Sequence, residues 1–234
     1  MTISIHPVPG LPEVRPGDDL AGLLASALAA AGLGPEPGDV LVVTHKVVSK
    51  AEGAVVPLEG DEDAAYRRLA EEQSVEILRR RGDLIIARTR HGFICANAGV
   101  DRSNAAPGTA VLLPADPDRS AHGLRLALRH RTVVDVPVVI TDTFGRAWRR
   151  GLVDVAIGIS GLEAILDLRG TRDAGGRELK VTEVAVVDEI AAAADLAMGK
   201  AAGVPAALVR GLAVPLGEGR AADLVRPAGE DMFR

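Results

Sequence analysis

Val133-Val-Asp-Val-Pro-Val-Val-Ile-Thr141 runs without a break into Asp142-Thr143-Phe144-Gly145-Arg146-Ala-Trp148-Arg149-Arg150-Gly151, and this stretch decides how the chain is read. The first part is dense in β-branched residues and reads as a buried strand. The second turns polar at once. In an α/β architecture ligands bind at the carboxyl ends of strands, so a strand ending at Thr141 is expected to present Asp142 on the floor of a cleft. Working outward, Asp39 to Thr44, Leu84 to Thr89, Phe93 to Ala96 and Ala110 to Leu113 have the same character and are expected as strands. Asp18 to Ala31, Asp61 to Arg81 and Asp118 to Arg131 show helical apolar spacing and begin at aspartates suited to capping. Further on come a Gly-rich turn at Asp173 to Arg177, a strand-like Leu179 to Val187, an Ala-rich helix from near Asp188, and a closing strand, Pro205 to Val214. Alternation of this kind predicts a mixed α/β (α+β) fold. No linker, repeat or low-complexity tract divides residues 1–234, so a single domain is expected, built as two interleaved lobes with mixed sheets.

Composition narrows the function. A formal net charge of -5 argues against a nucleic-acid scaffold, which needs a broad basic surface, and an aromatic content of 2% leaves few platforms for stacking bases. Cys95 is the only cysteine, which excludes an intramolecular disulfide and a cysteine-cluster metal site. It sits in an apolar run and reads as packed rather than nucleophilic. The start of the chain lacks the pattern of a signal peptide and no apolar run is long enough to span a bilayer, so a soluble cytoplasmic protein with no membrane partner is expected.

Alone, Asp142 reads as the cap of a turn. Its neighbours shift the balance: Thr141 and Thr143 supply oxygen ligands, Gly145 permits close approach, and Arg146, Arg149 and Arg150 can face phosphate. A second polar stretch, Asn97-Ala-Gly-Val-Asp101-Arg-Ser-Asn104, also follows an apolar run. By itself it is an Asx-type turn. If both stretches open on one face, Asp101 and Asp142 can share a divalent cation that bridges phosphate oxygens. A third stretch, Thr44-His45-Lys46-Val-Val-Ser-Lys50-Ala-Glu-Gly53, lacks the glycines of a Walker loop, so the fold is expected to be non-P-loop, although Lys50 could reach a phosphate. His45 could serve as a ligand, but a hydrogen-bonded structural histidine is the commoner case. Asp188-Glu189 complements the dipole of its helix, and Gly10 to Asp19 reads as a tight connection capping the first helix.

With these residues assembled, the chain resembles the coenzyme F420-0:L-glutamate ligase (F420 γ-glutamyl ligase) family over nearly its whole length. The resemblance rests on Gly10-Leu-Pro-Glu-Val14 with Pro16-Gly-Asp-Asp-Leu20, Asp39-Val-Leu-Val-Val43 with Val48-Ser-Lys-Ala-Glu-Gly53, Asn97 to Asn104, Ile140 to Arg150, and Asp188-Glu-Ile-Ala-Ala-Ala-Ala-Asp195. It implies a GTP-dependent amide ligase that adds L-glutamate to coenzyme F420-0, giving F420-1 and then γ-linked F420-2 or longer forms through an acyl phosphate. It further implies that Asp101 and Asp142 bind one divalent cation and Thr143 a second, Mn2+ or Mg2+, with K+ as an additional ion. Leu11, Pro12, Glu13, Val14, His45, Lys50 and Asn104 would contact GTP, as would Met198, Gly199 and Lys200. Arg146 is a candidate to hold phosphate or the incoming carboxylate. A homodimer is implied, and the domain is expected to stand alone, without the flavin-reductase-like domain fused in some relatives. The departure is His45, where the family pattern often has serine; histidine preserves a backbone contact but supplies no hydroxyl. Two other readings fit the residues: a metal-dependent phosphohydrolase, and a non-catalytic protein that binds a nucleotide or the F420 precursor.

Overall fold

The computed structural model describes residues 2–232. Its elements in chain order are β1 (Ser4–Pro7), α1 (Leu20–Ala30), β2 (Val40–Thr44), α2 (His45–Ala51), β3 (Val55–Pro57), α3 (Glu62–Glu72), β4 (Ser74–Arg81), β5 (Leu84–Thr89), β6 (Ile94–Ala96), β7 (Thr109–Val111), α4 (Pro117–Thr132), β8 (Val138–Arg146), β9 (Arg149–Ser160), β10 (Leu166–Asp167), β11 (Glu183–Val184), α5 (Val186–Met198) and β12 (Ala206–Arg210).

The mixed α/β class is observed. The main sheet has the order β1-β12-β2-β8-β9, with β2 and β8 parallel and the other neighbours antiparallel. Val40 to Val43 and Val138 to Ile140 are buried, as expected of central strands covered on both faces. Helix α5 crosses this sheet and touches all five strands, while α4 packs on β8, β9 and α1. Gly158 makes the α4 approach possible: a Cβ there would lie 2.4 Å from the Pro117 carbonyl oxygen.

A second buried cluster, from Leu58 through Ala65, Leu69, Ile85 and Ala87 to Ala110, belongs to α3, the β4-β5-β6 sheet and the β3-β7 pair. All of it comes from one continuous stretch between α2 and α4. The interleaving is therefore an insertion of a small lobe into a larger one. Among the described residues the main sheet is mixed and the smaller ones are antiparallel.

Several expected boundaries need correction. The helix expected over Asp61 to Arg81 stops at Glu72; Asp61 caps its start, Ser74 Oγ bonds back to Ala70 O, and Ser74 to Arg81 forms β4 against β5. Most of β4 is exposed, so it carries Glu76 and a run of arginines where a half-buried strand would alternate with apolar residues. Asp116, not Asp118, caps α4; Asp118 instead accepts N–H groups from Ile159 and Ala221. Val133 adopts a left-handed conformation that closes α4, so the strand starts at Val138 and extends through Arg146. Asp142 is thus inside a strand and not at its end. Of Leu179 to Val187 only Glu183–Val184 is strand, and α5 starts two residues before Asp188. The closing strand is confined to Ala206–Arg210. Among the described residues no helix is long and apolar enough to cross a membrane.

Candidate functional site

The parallel pairing of β2 with β8 ends at Thr44 opposite Thr141, and there the two strands part. β2 turns directly into α2, presenting His45, Lys46 and Lys50, while β8 continues as the long β8-β9 hairpin. A register shift between Ile140 and Thr141 re-aims the hairpin at this point, after which Thr141 faces Ala156, Asp142 faces Val155 and Thr143 faces Asp154. The resulting cavity, of about 220 Å³, is lined by residues from five separate segments of the chain.

Its centre is an oxygen-rich cluster. Asp154, 3% exposed, accepts the hydroxyl of Thr141 at 2.9 Å and that of Thr143 at 2.7 Å. Thr143 Oγ1 in turn accepts a hydrogen bond from Lys200 Nζ at 2.7 Å. Thr143 N–H donates to Asp142 Oδ1, and Asp142 Oδ2 has no hydrogen bond or ion pair among the described residues. His45 Nε2 stands 3.3 Å from Asp142 Oδ1 without hydrogen-bond geometry, and its Nδ1 lies 3.3 Å from Ser49 Oγ. His45 is 1% exposed, so the imidazole is a wall of the cavity with a buried nitrogen aimed at the aspartate. Lys50 Nζ donates to Glu13 Oε1, which ties the N-terminal connection to α2. At the other wall, Gly199 ends α5 with φ 62°, and Asp195, one turn earlier, has its carboxyl pushed up by burial and by the Asp154 charge, against the pull of Lys200.

Leu11, Pro12, Glu13, Val14, His45, Lys50, Asn104, Met198, Gly199 and Lys200 all line this cavity, together with Asp142 and Thr143. Segments far apart in sequence are thus brought together. Asp101 lies outside the lining. It is joined to the cavity by Lys46, whose Nζ sits 2.8 Å from Asp101 Oδ2 and donates to Ser103 Oγ at 2.7 Å. Burial alone would raise the Asp101 carboxyl, but bonds from Lys46 and from Ser103 outweigh it and hold the group below the usual carboxylate range. Arg146 also lies outside the lining, exposed near the hairpin tip, with Nη2 donating to Arg150 O. Arg102 pairs with Asp63 and lies over the Tyr66 ring, so it is engaged within the inserted lobe.

Thr141, expected as an oxygen donor, lines the cavity too, and Lys46, Asp154 and Asp195 line it without having been singled out as site residues in the sequence. Asp154 had a readable signal: an acidic residue inside Val153-Asp-Val-Ala-Ile157 must find partners when buried. The burial of Cys95, and the Asp142 charge near it, push its thiol up to about 12, in keeping with a packed residue. Among the described residues no three His, Cys, Asp or Glu side chains converge as a metal cluster. The donors facing the cavity are carboxylate and hydroxyl oxygens, the kind that hard divalent cations select, and Asp142 Oδ2 is the oxygen best placed to serve.

Residues 10–211 match the family model described as F420-0:Gamma-glutamyl ligase. Among curated proteins, the Coenzyme F420:L-glutamate ligase of Methanopyrus kandleri is 46% identical, with 100% of this chain and 98% of the relative covered. The proteins of the same name from Methanothermobacter thermautotrophicus and Archaeoglobus fulgidus are each 43% identical, with all of this chain and 100% and 97% of the relatives covered.

Proposed function

This chain belongs to the F420-0:gamma-glutamyl ligase family, and on that premise we propose that it joins L-glutamate to the terminal carboxylate of coenzyme F420-0, giving F420-1, and then extends the tail through γ-glutamyl links at the expense of GTP. The observation that carries this reading is the gathering of Lys46, Lys50 and Lys200 around Asp142 and Thr143 in one cavity assembled from distant segments.

The chemistry asks for that equipment. A carboxylate is a poor acyl donor, so one of its oxygens takes the γ-phosphoryl group, the bond between the β and γ phosphates breaks, and GDP departs. The amine of glutamate then attacks the acyl carbon; the C–N bond forms, the C–O bond to phosphate breaks, and the proton shed by nitrogen passes to water. Most of the work is positioning and charge neutralisation. Lys46, Lys50 and Lys200 bring positive charge to the phosphates from α2 and from the end of α5. Asp154 fixes the Thr143 hydroxyl through its hydrogen, which leaves the threonine oxygen's lone pairs for the cavity side, where Lys200 meets it.

Asp142 and Thr143 fit a divalent cation as hard oxygen donors, and Asp101 fits as a second carboxylate once Lys46 turns from it to phosphate. Bound there, Mg2+ or Mn2+ supplies further charge neutralisation to phosphate oxygens. A cavity of about 220 Å³ is smaller than most sites for small molecules, so the phosphates lie within it and the rest of GTP extends past Leu11 to Val14. A homodimer is the proposed assembly; Trp148 and Leu152, 84% and 66% exposed, put apolar surface near the hairpin tip.

Incubation with F420-0, GTP, Mg2+ or Mn2+ and labelled glutamate tests the reading. Label in the F420 product is the expected result. GTP-dependent phosphate release with no glutamate incorporated would replace it with phosphohydrolysis.

A further inference from the structure

The hairpin that bounds the polar cavity also bounds a second cavity of about 430 Å³, which lies between the hairpin, the β4-β5-β6 sheet and the C-terminal segment. Its character is different. Phe93, Ile94, Phe144, Val155 and Val225 make it largely apolar, and Phe93 meets Phe144 edge-on at 6.2 Å between ring centres. The carboxylate residues Asp231, of the C-terminal segment, and Asp188, in the first turn of α5, line this apolar space, and Asp188 is the one placed against the hairpin. Asp188 Oδ1 accepts the Ala156 N–H at 2.9 Å, and Oδ2 has no hydrogen bond or ion pair among the described residues. Burial raises the Asp188 carboxyl, with the Ala156 bond opposing, so holding the charge there has a cost that a donor from a ligand would offset. Arg79 and Arg226, both exposed, complete the lining with positive charge.

Asp142, which lines the polar cavity, pairs across the hairpin with Val155, which lines the apolar one. Phe144, also in the apolar cavity, is two residues along the same strand from Asp142, roughly 7 Å further. A molecule whose apolar head rests on Phe144 and Val155 therefore has Asp142 within reach of a short anionic tail.

We propose that the apolar cavity holds a flat heteroaromatic ring, with Asp188 accepting an N–H from the ring edge and Arg79 and Arg226 meeting a phosphate on its tether. On the ligase reading above, on which this last step rests, the ring is the chromophore of coenzyme F420-0 and the tail is the carboxylate to be activated. The ring lies against Phe93 and Phe144 where they meet edge-on, and it excludes water from the Asp188 side.

Two probes separate the site from the reaction: F420-0 itself and its isolated ring chromophore without the phosphate tail, each titrated by fluorescence. Ile94 is 39% exposed, so Ile94→Trp fills the cavity from its edge with little burden on the core. It is expected to weaken both probes about tenfold or more while GTP binding is unchanged. Asp188→Asn weakens the ring probe; Arg226→Ala weakens F420-0 and spares the ring. Wild-type affinity for the ring in Ile94→Trp overturns the proposal, as does a wild-type protein that binds neither probe. If Ile94→Trp does not fold, unchanged affinities in both Asp188→Asn and Arg226→Ala overturn it. Loss of a dimer in Ile94→Trp with ring binding retained makes the cavity a contact between copies and also overturns it. A wild-type protein that binds the ring, loses it in these variants and forms no glutamate adduct leaves the site standing and removes the ligase reading.

Discussion

The stretch around Asp142 and the stretch around Asp101 look alike in sequence, each an aspartate among hydroxyls, amides and glycines after an apolar run, but the fold treats them differently. Asp142 and Thr143 sit within β8, braced by the buried Asp154 and backed by the main core. Asp101 forms an isolated bridge with Val111 on the inserted lobe, its carboxylate held by Ser103 and Lys46. Asp142 is fixed by the sheet, whereas Asp101 is joined to the cavity by Lys46 of α2. The difference teaches that similar polar motifs can be held in unlike ways; on the proposed reading the first is the anchor and the second the arm of one site.

The largest effect is expected at the anchor. Asp142→Asn should lower glutamate incorporation by about 10²–10³-fold with little change in thermal stability, since removing one preorganised electrostatic contact commonly costs that much; near-normal turnover would take Asp142 out of the site. Asp154→Ala should lower stability by about 1–3 kcal/mol, measured by denaturant unfolding, because the buried Thr141 hydroxyl and the half-buried Thr143 hydroxyl lose their acceptor. Asp154→Asn keeps one acceptor oxygen and should recover part of that loss; equal unfolding curves for wild type and Asp154→Ala would show that the anchor is not braced as described.

At the arm, Lys46→Met should reduce turnover roughly tenfold and lower stability at neutral pH by about 1 kcal/mol or less, as expected of a partly exposed pair. A carboxyl held below its ordinary range stabilises the fold above its unfolded value, about 3.9, and that stability is lost as pH falls through the lower folded value. The stability difference between wild type and Lys46→Met, from denaturant unfolding followed by circular dichroism, should therefore be largest at neutral pH and fade as Asp101 is protonated; a difference that does not change with pH would show that Lys46 does not hold Asp101. The smallest effect is at Cys95, whose thiol is pushed up to about 12: it should react slowly with a thiol reagent at pH 8 in the native protein and rapidly once unfolded.

How far the sequence reveals these two regions follows from burial. β2 and the helices capped by Asp19 and Asp61 are legible because buried strands and capped amphipathic helices have strong local patterns. β4 is hidden because its exposure removes the alternation that marks a strand, and α2 because seven residues containing Val47, Val48 and Ser49 carry no helical signature. The lining residues from Leu11 to Lys200 are marked by family resemblance; their meeting depends on strand order, which no local pattern encodes. Asp142 is legible as a residue of the cleft but not as mid-strand, because the hairpin past it is polar and partly exposed.

The claim that anchor and arm serve one phosphate and cation site is tested most directly by Mn2+ binding in the presence of GTP, measured for wild type, Asp101→Asn, Asp142→Asn and the double variant. The account expects strong coupling: either substitution alone weakens binding of the shared ion about as much as both together. Independent losses that simply add would mean that the two aspartates do not share a site.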